Sequence, residues 1–83
     1  MSQWCVYMLR CRDGSLYTGY TNDMDKRLEA HNNGKLAAKY TRSRRPVTLV
    51  YREQLPSRSA AMKRECALKK LSKAQKEALL RQA

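Results

Sequence analysis

No stretch of this sequence is apolar for long enough to span a membrane, and the first apolar run, Trp4 to Leu9, is stopped by Arg10. That run is also too short for the core of a signal peptide. The three cysteines, Cys5, Cys11 and Cys66, form no C-x-x-C pair. Cys5 and Cys11 fall on one predicted strand, about 20 Å apart at about 3.3 Å per residue, and a disulfide needs its Cα atoms within about 7 Å. With one histidine and no second cysteine pair, a structural zinc site is not expected. Free thiols point to a reducing cytoplasm. Phenylalanine is absent and the single tryptophan is Trp4, so the basic segments lack the apolar face of an interfacial helix and no membrane partner is expected. There are no repeats, no low-complexity tract and no linker. The 83 residues make one domain, 1–83, with room for one small core and a shallow surface site.

Acidic residues are also scarce. Seven face 18 lysines and arginines, for a net charge of +11. Residues 1–34 hold four of each sign and cancel; residues 35–83 hold fourteen basic and three acidic side chains and carry the whole excess. Self-repulsion on that scale weakens a compact state, so a polyanionic partner explains it better than solvation alone. With membrane set aside, that partner is nucleic acid, DNA before RNA.

Residues 4–11 are short, apolar and bounded, the pattern of a strand buried on both faces. A turn at Arg12–Ser15 and a returning strand over 16–21 follow. Asn22 reads as a helix N-cap with Asp23 and Asp25 in the first turn, and the helix ends at Gly34. Residues 35–46 read as a basic loop closed by proline, and 47–52 as a third strand. Pro56-Ser57 opens a helix to about Leu71. Ser72 and Gln75 form a capping box that starts a last helix. The order is β-β-α-β-α-α, an α+β class. A two-residue loop at Asp13-Gly14 would put Tyr7 and Tyr17 on opposite faces of the hairpin. A three-residue loop with Gly14 left-handed would pair Tyr7 with Gly19 and Tyr17 with Leu9, on one face. Both registers remain open.

Five residues then stand out. Tyr7 and Tyr17 lie on neighbouring strands. Arg27 and His31 share a helix face with Met24 and Leu28. Glu65 is the single acid between Gln54 and Lys76. Each has a plainer reading: core tyrosines with a wet hydroxyl, an Arg27–Asp23 pair, a structural histidine, and a Glu65–Lys69 pair. As an ordered set, Val6-Tyr7, Tyr17-Thr18-Gly19, Arg27, His31 and Glu65 resemble the GIY-YIG nuclease family from Trp4 to about Leu71. The likeness is nearest to its small stand-alone bacterial branch and to the nuclease domain of eukaryotic structure-specific junction-cutting endonucleases.

The resemblance implies a small three-stranded antiparallel sheet flanked by helices and hydrolysis of phosphodiesters with one divalent metal ion, Mg²⁺ or Mn²⁺. It implies Glu65 as the metal ligand, Tyr7 as general base on the attacking water, and Tyr17 as the group orienting water or phosphate. Arg27 would bind the scissile phosphate and His31 would help activate the base. A tyrosine is a poor base until nearby cations lower its pKa, and Arg27 and the metal are expected to supply that field. The family's leading Gly-Ile is here Cys5-Val6, and its Y-I-G is Y-T-G. No asparagine follows Asn33, where restriction and homing members have one, and no attached DNA-reading or zinc-binding domain is expected.

The segment 35–45 holds Lys35, Lys39, Arg42, Arg44 and Arg45, with Tyr40 among them and no acid. It is the predicted nucleic-acid contact, by phosphate pairing and base stacking. Two functions are carried forward. One is a structure-selective DNA endonuclease of repair or recombination, with a protein partner or a second copy setting its target. The other is a nucleic-acid-binding module that keeps the nuclease fold with little activity of its own.

Overall fold

A computed structural model of the chain describes residues 3–34 and 39–82, with the side chain of Lys39 left undescribed. Three strands, β1 (Cys5–Arg10), β2 (Leu16–Thr21) and β3 (Thr48–Gln54), form one antiparallel sheet in the order β2-β1-β3. The strand with apolar residues on both faces takes the centre: Cys5 to Leu9 are all buried. The register shifts between Met8 and Leu9 where β1 pairs with β3. β3 runs two residues past the predicted end because Val6 and Cys5 are there to pair with Glu53 and Gln54.

The hairpin decides between the two registers. Tyr7 pairs with Gly19 and Leu9 with Tyr17. Gly14 sits at φ 86°, a backbone region that costs glycine little and other residues much. Asp13 Oδ1 holds the turn by accepting from the backbone and hydroxyl of Ser15 at 3.0 and 2.6 Å.

Helix α1 (Met24–Asn33) is capped by Asp23, not by Asn22 as the sequence suggested. An N-cap side chain must accept from the third helical residue; Asp23 Oδ1 meets Lys26 N at 3.2 Å, and Asn22 is one position too early. Gly34 ends the helix as expected but without a left-handed turn. Its φ is −84°, and a Cβ there would lie 2.8 Å from the Ala30 carbonyl oxygen. A turn of helix, α2 (Lys39–Arg42), interrupts the segment expected to be loop. Asn32 then fastens β3 to α1, donating to Val47 O at 3.0 Å and accepting from Val47 N at 2.8 Å.

Helix α3 (Arg58–Lys69) starts at Ser57, whose Oγ accepts from Ala60 N at 3.1 Å. It packs against β2 and β1 and buries Ala61 and Leu68. The predicted capping box opens α4 (Lys73–Gln82): Ser72 and Gln75 exchange bonds of 2.8 and 3.1 Å. A two-bonded Arg10–Glu77 pair, at 2.5 and 2.6 Å, ties α4 to the central strand. The order is therefore β-β-α-β-α-α with α2 added. One core cluster lies on the face of β1 where Cys5, Tyr7, Leu9 and Cys11 meet Met24 and Val47, with Tyr17, Leu28 and Leu49 packed around them. No helix among the described residues is long and apolar enough to cross a membrane.

Candidate active site

The hairpin register puts Tyr7 and Tyr17 on one face of the sheet, with ring centroids 6.4 Å apart. Gly19 makes this possible. A Cβ at that position would come within 2.6 Å of the Tyr7 hydroxyl, 2.8 Å of Tyr7 Cζ and 3.1 Å of the Tyr17 ring. The two rings therefore use space that any other residue would fill.

Helix α1 brings Arg27 and His31 to the same rings from above. His31 is fully buried; its Nε2 lies 2.8 Å from the Tyr7 hydroxyl and its Nδ1 2.8 Å from Thr41 Oγ1 on α2. The Tyr17 ring packs 5.1 Å from the imidazole. Arg27 also hydrogen-bonds the Tyr7 hydroxyl. A guanidinium can only donate, so Tyr7 accepts from Arg27, and its own proton is free to be donated to His31 Nε2. With that bond made, the ring proton sits on Nδ1 and is donated to Thr41 Oγ1.

Two titrations follow from this packing. Burial first, then the positive charges of Arg27 and Arg45, push His31 down to about 4, so it is neutral near pH 7. Burial first pushes Tyr7 up to about 12; the bond from Arg27 and its charge pull the other way, and Tyr17 and Glu65 add to the rise. The field of Arg27 thus has the sign expected from sequence, but desolvation outweighs it. At rest the proton stays on Tyr7.

Glu65 projects from α3. Its carboxylate lies 3.6 Å from the Lys69 ammonium, its side chain is 19% exposed, and its charge reaches the Tyr7 hydroxyl. Tyr7, Tyr17, Arg27 and His31, drawn from β1, β2 and α1, are thus gathered about one hydroxyl, and Glu65 on α3 stands within electrostatic reach of it. The site is less shallow than its chain length suggested. Tyr7 and His31 form its buried floor, and Glu65, Arg27 and Tyr17 face outward, because the hydroxyl that pairs with His31 must share its dry pocket.

The GIY-YIG catalytic domain matches residues 3–78. The chain belongs to the GIY-YIG family. Within that family it is similar to small proteins named UPF0213. One from Syntrophus aciditrophicus is 52% identical over 82 residues, covering 99% of this chain and 94% of that one. One from Halobacterium salinarum is 55% identical over 74 residues, covering 89% and 95%. Among solved structures, the solution structure of a UPF0213 protein from Bacillus halodurans aligns with a TM-score of 0.60 at 49% identity, over 93% of this chain and 81% of that one. A protein from E. faecalis aligns with a TM-score of 0.64 at 43% identity, over 99% and 85%.

GIY-YIG nucleases generally use a divalent metal. Among the described residues no group of three or more His, Cys, Asp or Glu could hold one. Glu65 suits the lighter arrangement of a hydrated ion on one carboxylate: it is a hard oxygen ligand, partly open to water, and its present partner is a flexible lysine.

The predicted nucleic-acid residues outside the GIY-YIG motif are placed less uniformly. Lys35 and the side chain of Lys39 lie outside the described residues. Arg42 is exposed. Arg44 bonds Asp13 at 3.0 Å and the Tyr40 carbonyl at 2.9 Å, with its guanidinium carbon 4.0 Å over the Tyr40 ring. Tyr40 also contacts Tyr17, at 5.9 Å between centroids. Arg45 caps α1: it donates to the carbonyls of His31 at 2.5 Å, Gly34 at 2.5 Å and Ala30 at 3.3 Å. Its charge therefore acts on a helix C-terminus, where a cation is favoured.

Thr41 is the site residue that sequence reasoning missed. Nothing in K-Y-T-R marks a threonine as the partner of a histidine ten positions earlier. Gly19 was in view as part of Y-T-G, but its reason, the approach of the Tyr7 ring, belongs to the hairpin register.

Proposed function

We propose that the chain is a metal-dependent endonuclease that hydrolyses phosphodiester bonds in DNA, selecting structure over sequence and serving repair or recombination. The observation that carries this reading is the convergence of Tyr17, Arg27 and His31 around the Tyr7 hydroxyl, with Glu65 in electrostatic reach of it. Hydrolysis of a phosphodiester needs a deprotonated water, charge stabilisation at phosphorus and help for the leaving oxygen.

Arg27 is the cation for the scissile phosphate. Tyr7 Oη is the acceptor for the water proton, and it passes its own proton to His31 Nε2, to which it is already bonded at 2.8 Å. Thr41 keeps Nε2 free to accept by holding the Nδ1 proton. Tyr17, half-exposed beside both rings, orients the water or phosphate. Glu65 would hold the Mg²⁺ or Mn²⁺ ion, which supplies positive charge for the developing oxyanions when bound.

One observation favours the other reading, a nucleic-acid-binding module with little activity. Tyr7 is 1% exposed and His31 fully buried, so the base is nearly closed to water. A panel of labelled single-strand, flap, fork and junction substrates, in DNA and RNA with Mg²⁺ or Mn²⁺, separates the two. The endonuclease reading expects metal-dependent cutting of a branched DNA that Glu65→Ala abolishes. Binding without cutting on every substrate supports the module instead.

A further inference from the structure

A groove of about 180 Å³ runs between the N-terminal part of α4 and the β1–β2 hairpin, lined by Ser15, Leu16, Tyr40, Lys73 and Lys76. We propose that this groove is a second nucleic-acid site, in which Lys73 and Lys76 grip a backbone phosphate flanking the one that is cut. The inference rests on the nuclease reading for the word "flanking", and on the groove itself for the binding.

Three placements carry it. First, the groove adjoins the candidate active site on two sides. On one side, the Tyr40 wall of the groove contacts the Tyr17 ring at 5.9 Å. On the other side, Lys69, which pairs with Glu65 at 3.6 Å, is near enough to Lys76 for their charges to repel.

Second, Tyr40 is a ridge between two cationic hollows. Lys73 and Lys76 line one; Arg42 and Arg44 line the other with Ser43. Cations on both sides of one exposed aromatic ring suit a chain of spaced anions with flat bases between them, rather than a single small anion. An acidic protein segment would meet the cations but has no regular use for the ring.

Third, the ammonium of Lys76 is held in an unfavourable place. Burial, and then the charge of Lys69, lower its pKa. An ammonium kept in a partly dry groove with a like charge nearby raises the energy of the free protein, and an anion seated in the groove relieves it. The predicted contact Arg45 is meanwhile held by the end of α1, which moves part of the binding surface from the 35–45 segment to α4.

The test is binding of a fluorescent branched oligonucleotide across a salt series. Lys73→Gln with Lys76→Gln is compared with Lys63→Gln with Lys70→Gln, an equal loss of charge on the α3 face turned away from Glu65. The groove variant should give a shallower slope of log affinity against log salt, by about 0.7–0.9, from the one lost phosphate contact. The control should change the slope much less, and Lys73→Arg with Lys76→Arg should bind as the wild type does. If the Gln variant does not fold, acetylation footprinting of the wild-type protein replaces it: bound oligonucleotide should shield Lys73 and Lys76 and leave Lys63 and Lys70 reactive.

Equal slopes for the two Gln variants, or no shielding of Lys73 and Lys76, overturn the proposal, as does a wild type that binds an acidic peptide but no oligonucleotide. The nuclease reading fails separately. Groove-dependent binding with no cutting leaves the groove standing, and cutting with no groove dependence leaves the nuclease standing.

Discussion

The Tyr7 hydroxyl lies 2.8 Å from His31 Nε2, and these two residues, 24 positions apart in the chain, share one dry pocket. Their titrations are driven apart by that burial, His31 to about 4 and Tyr7 to about 12. A neutral imidazole next to a protonated phenol is thus a consequence of packing, and it sets the direction in which a proton can move.

The same burial makes stability depend on pH. His31 stays neutral to about pH 4, against 6.5 for an ordinary imidazole. As pH falls, the unfolded chain takes up this proton first. The contribution of neutral His31 is whole above about pH 6.5 and is lost progressively toward pH 4, reaching about 3 kcal/mol there. Melting curves of the wild type and of His31→Gln across that window check it. The variant should lose less stability on acidification; parallel losses would count against a buried, neutral His31.

Thr41 should act as a positioning residue through His31. Thr41→Val keeps the shape and removes the partner of Nδ1. Leaving a buried donor unpaired costs about 1–3 kcal/mol. Imidazole nitrogen shifts measured by NMR should report the Nδ1–H tautomer in the wild type and a mixed or reversed tautomer in Thr41→Val, with Thr41→Ser restoring the first. An unchanged tautomer in the valine variant would remove Thr41 from the proton path.

Gly19→Ala tests the approach of Tyr7 to the sheet. The added methyl would meet the Tyr7 hydroxyl at 2.6 Å, and the buried ring has nowhere to retreat. The expected result is a loss of about 1–3 kcal/mol of stability from overpacking, together with loss of the Tyr7–His31 bond. A melting temperature equal to wild type would show that the ring can move aside.

Much of this was legible in the sequence because it is local. A hydrophobic run named the central strand, a capping box named the start of α4, and a period of two placed Tyr7 and Tyr17 on one face once the loop length was known. The loop length itself was open until Gly14 was seen at φ 86°. What could not be read is tertiary. Arg45 looked like one more cation in a basic stretch, yet it caps a helix that ends eleven residues earlier at Gly34. Thr41 looked like loop, yet its contact with His31 comes with a turn of helix.

That reassignment of Arg45 predicts a split between neighbouring arginines. Arg45→Gln removes a charged donor from three carbonyls at the end of α1. It should cost about 1–3 kcal/mol, a drop of roughly 5–15 °C in Tm for a domain of this size. Arg42→Gln, at an exposed position, should leave Tm nearly unchanged and weaken nucleic-acid binding. Equal effects of the two changes on Tm would contradict the cap.

The most direct measurement pairs stability with cutting in Glu65→Gln. This change removes one charge and almost no volume. Its partner in the free protein is Lys69, 3.6 Å away on a half-exposed pair, worth a few tenths of a kcal/mol at about one helical turn. Tm should therefore stay close to wild type, and oligonucleotide affinity should hold or rise slightly. Metal-dependent cleavage should fall by orders of magnitude, since charge stabilisation at phosphorus contributes several kcal/mol to the barrier. A Gln variant that folds, binds and cuts like the wild type would contradict the one-carboxylate metal site and the nuclease mechanism built on it.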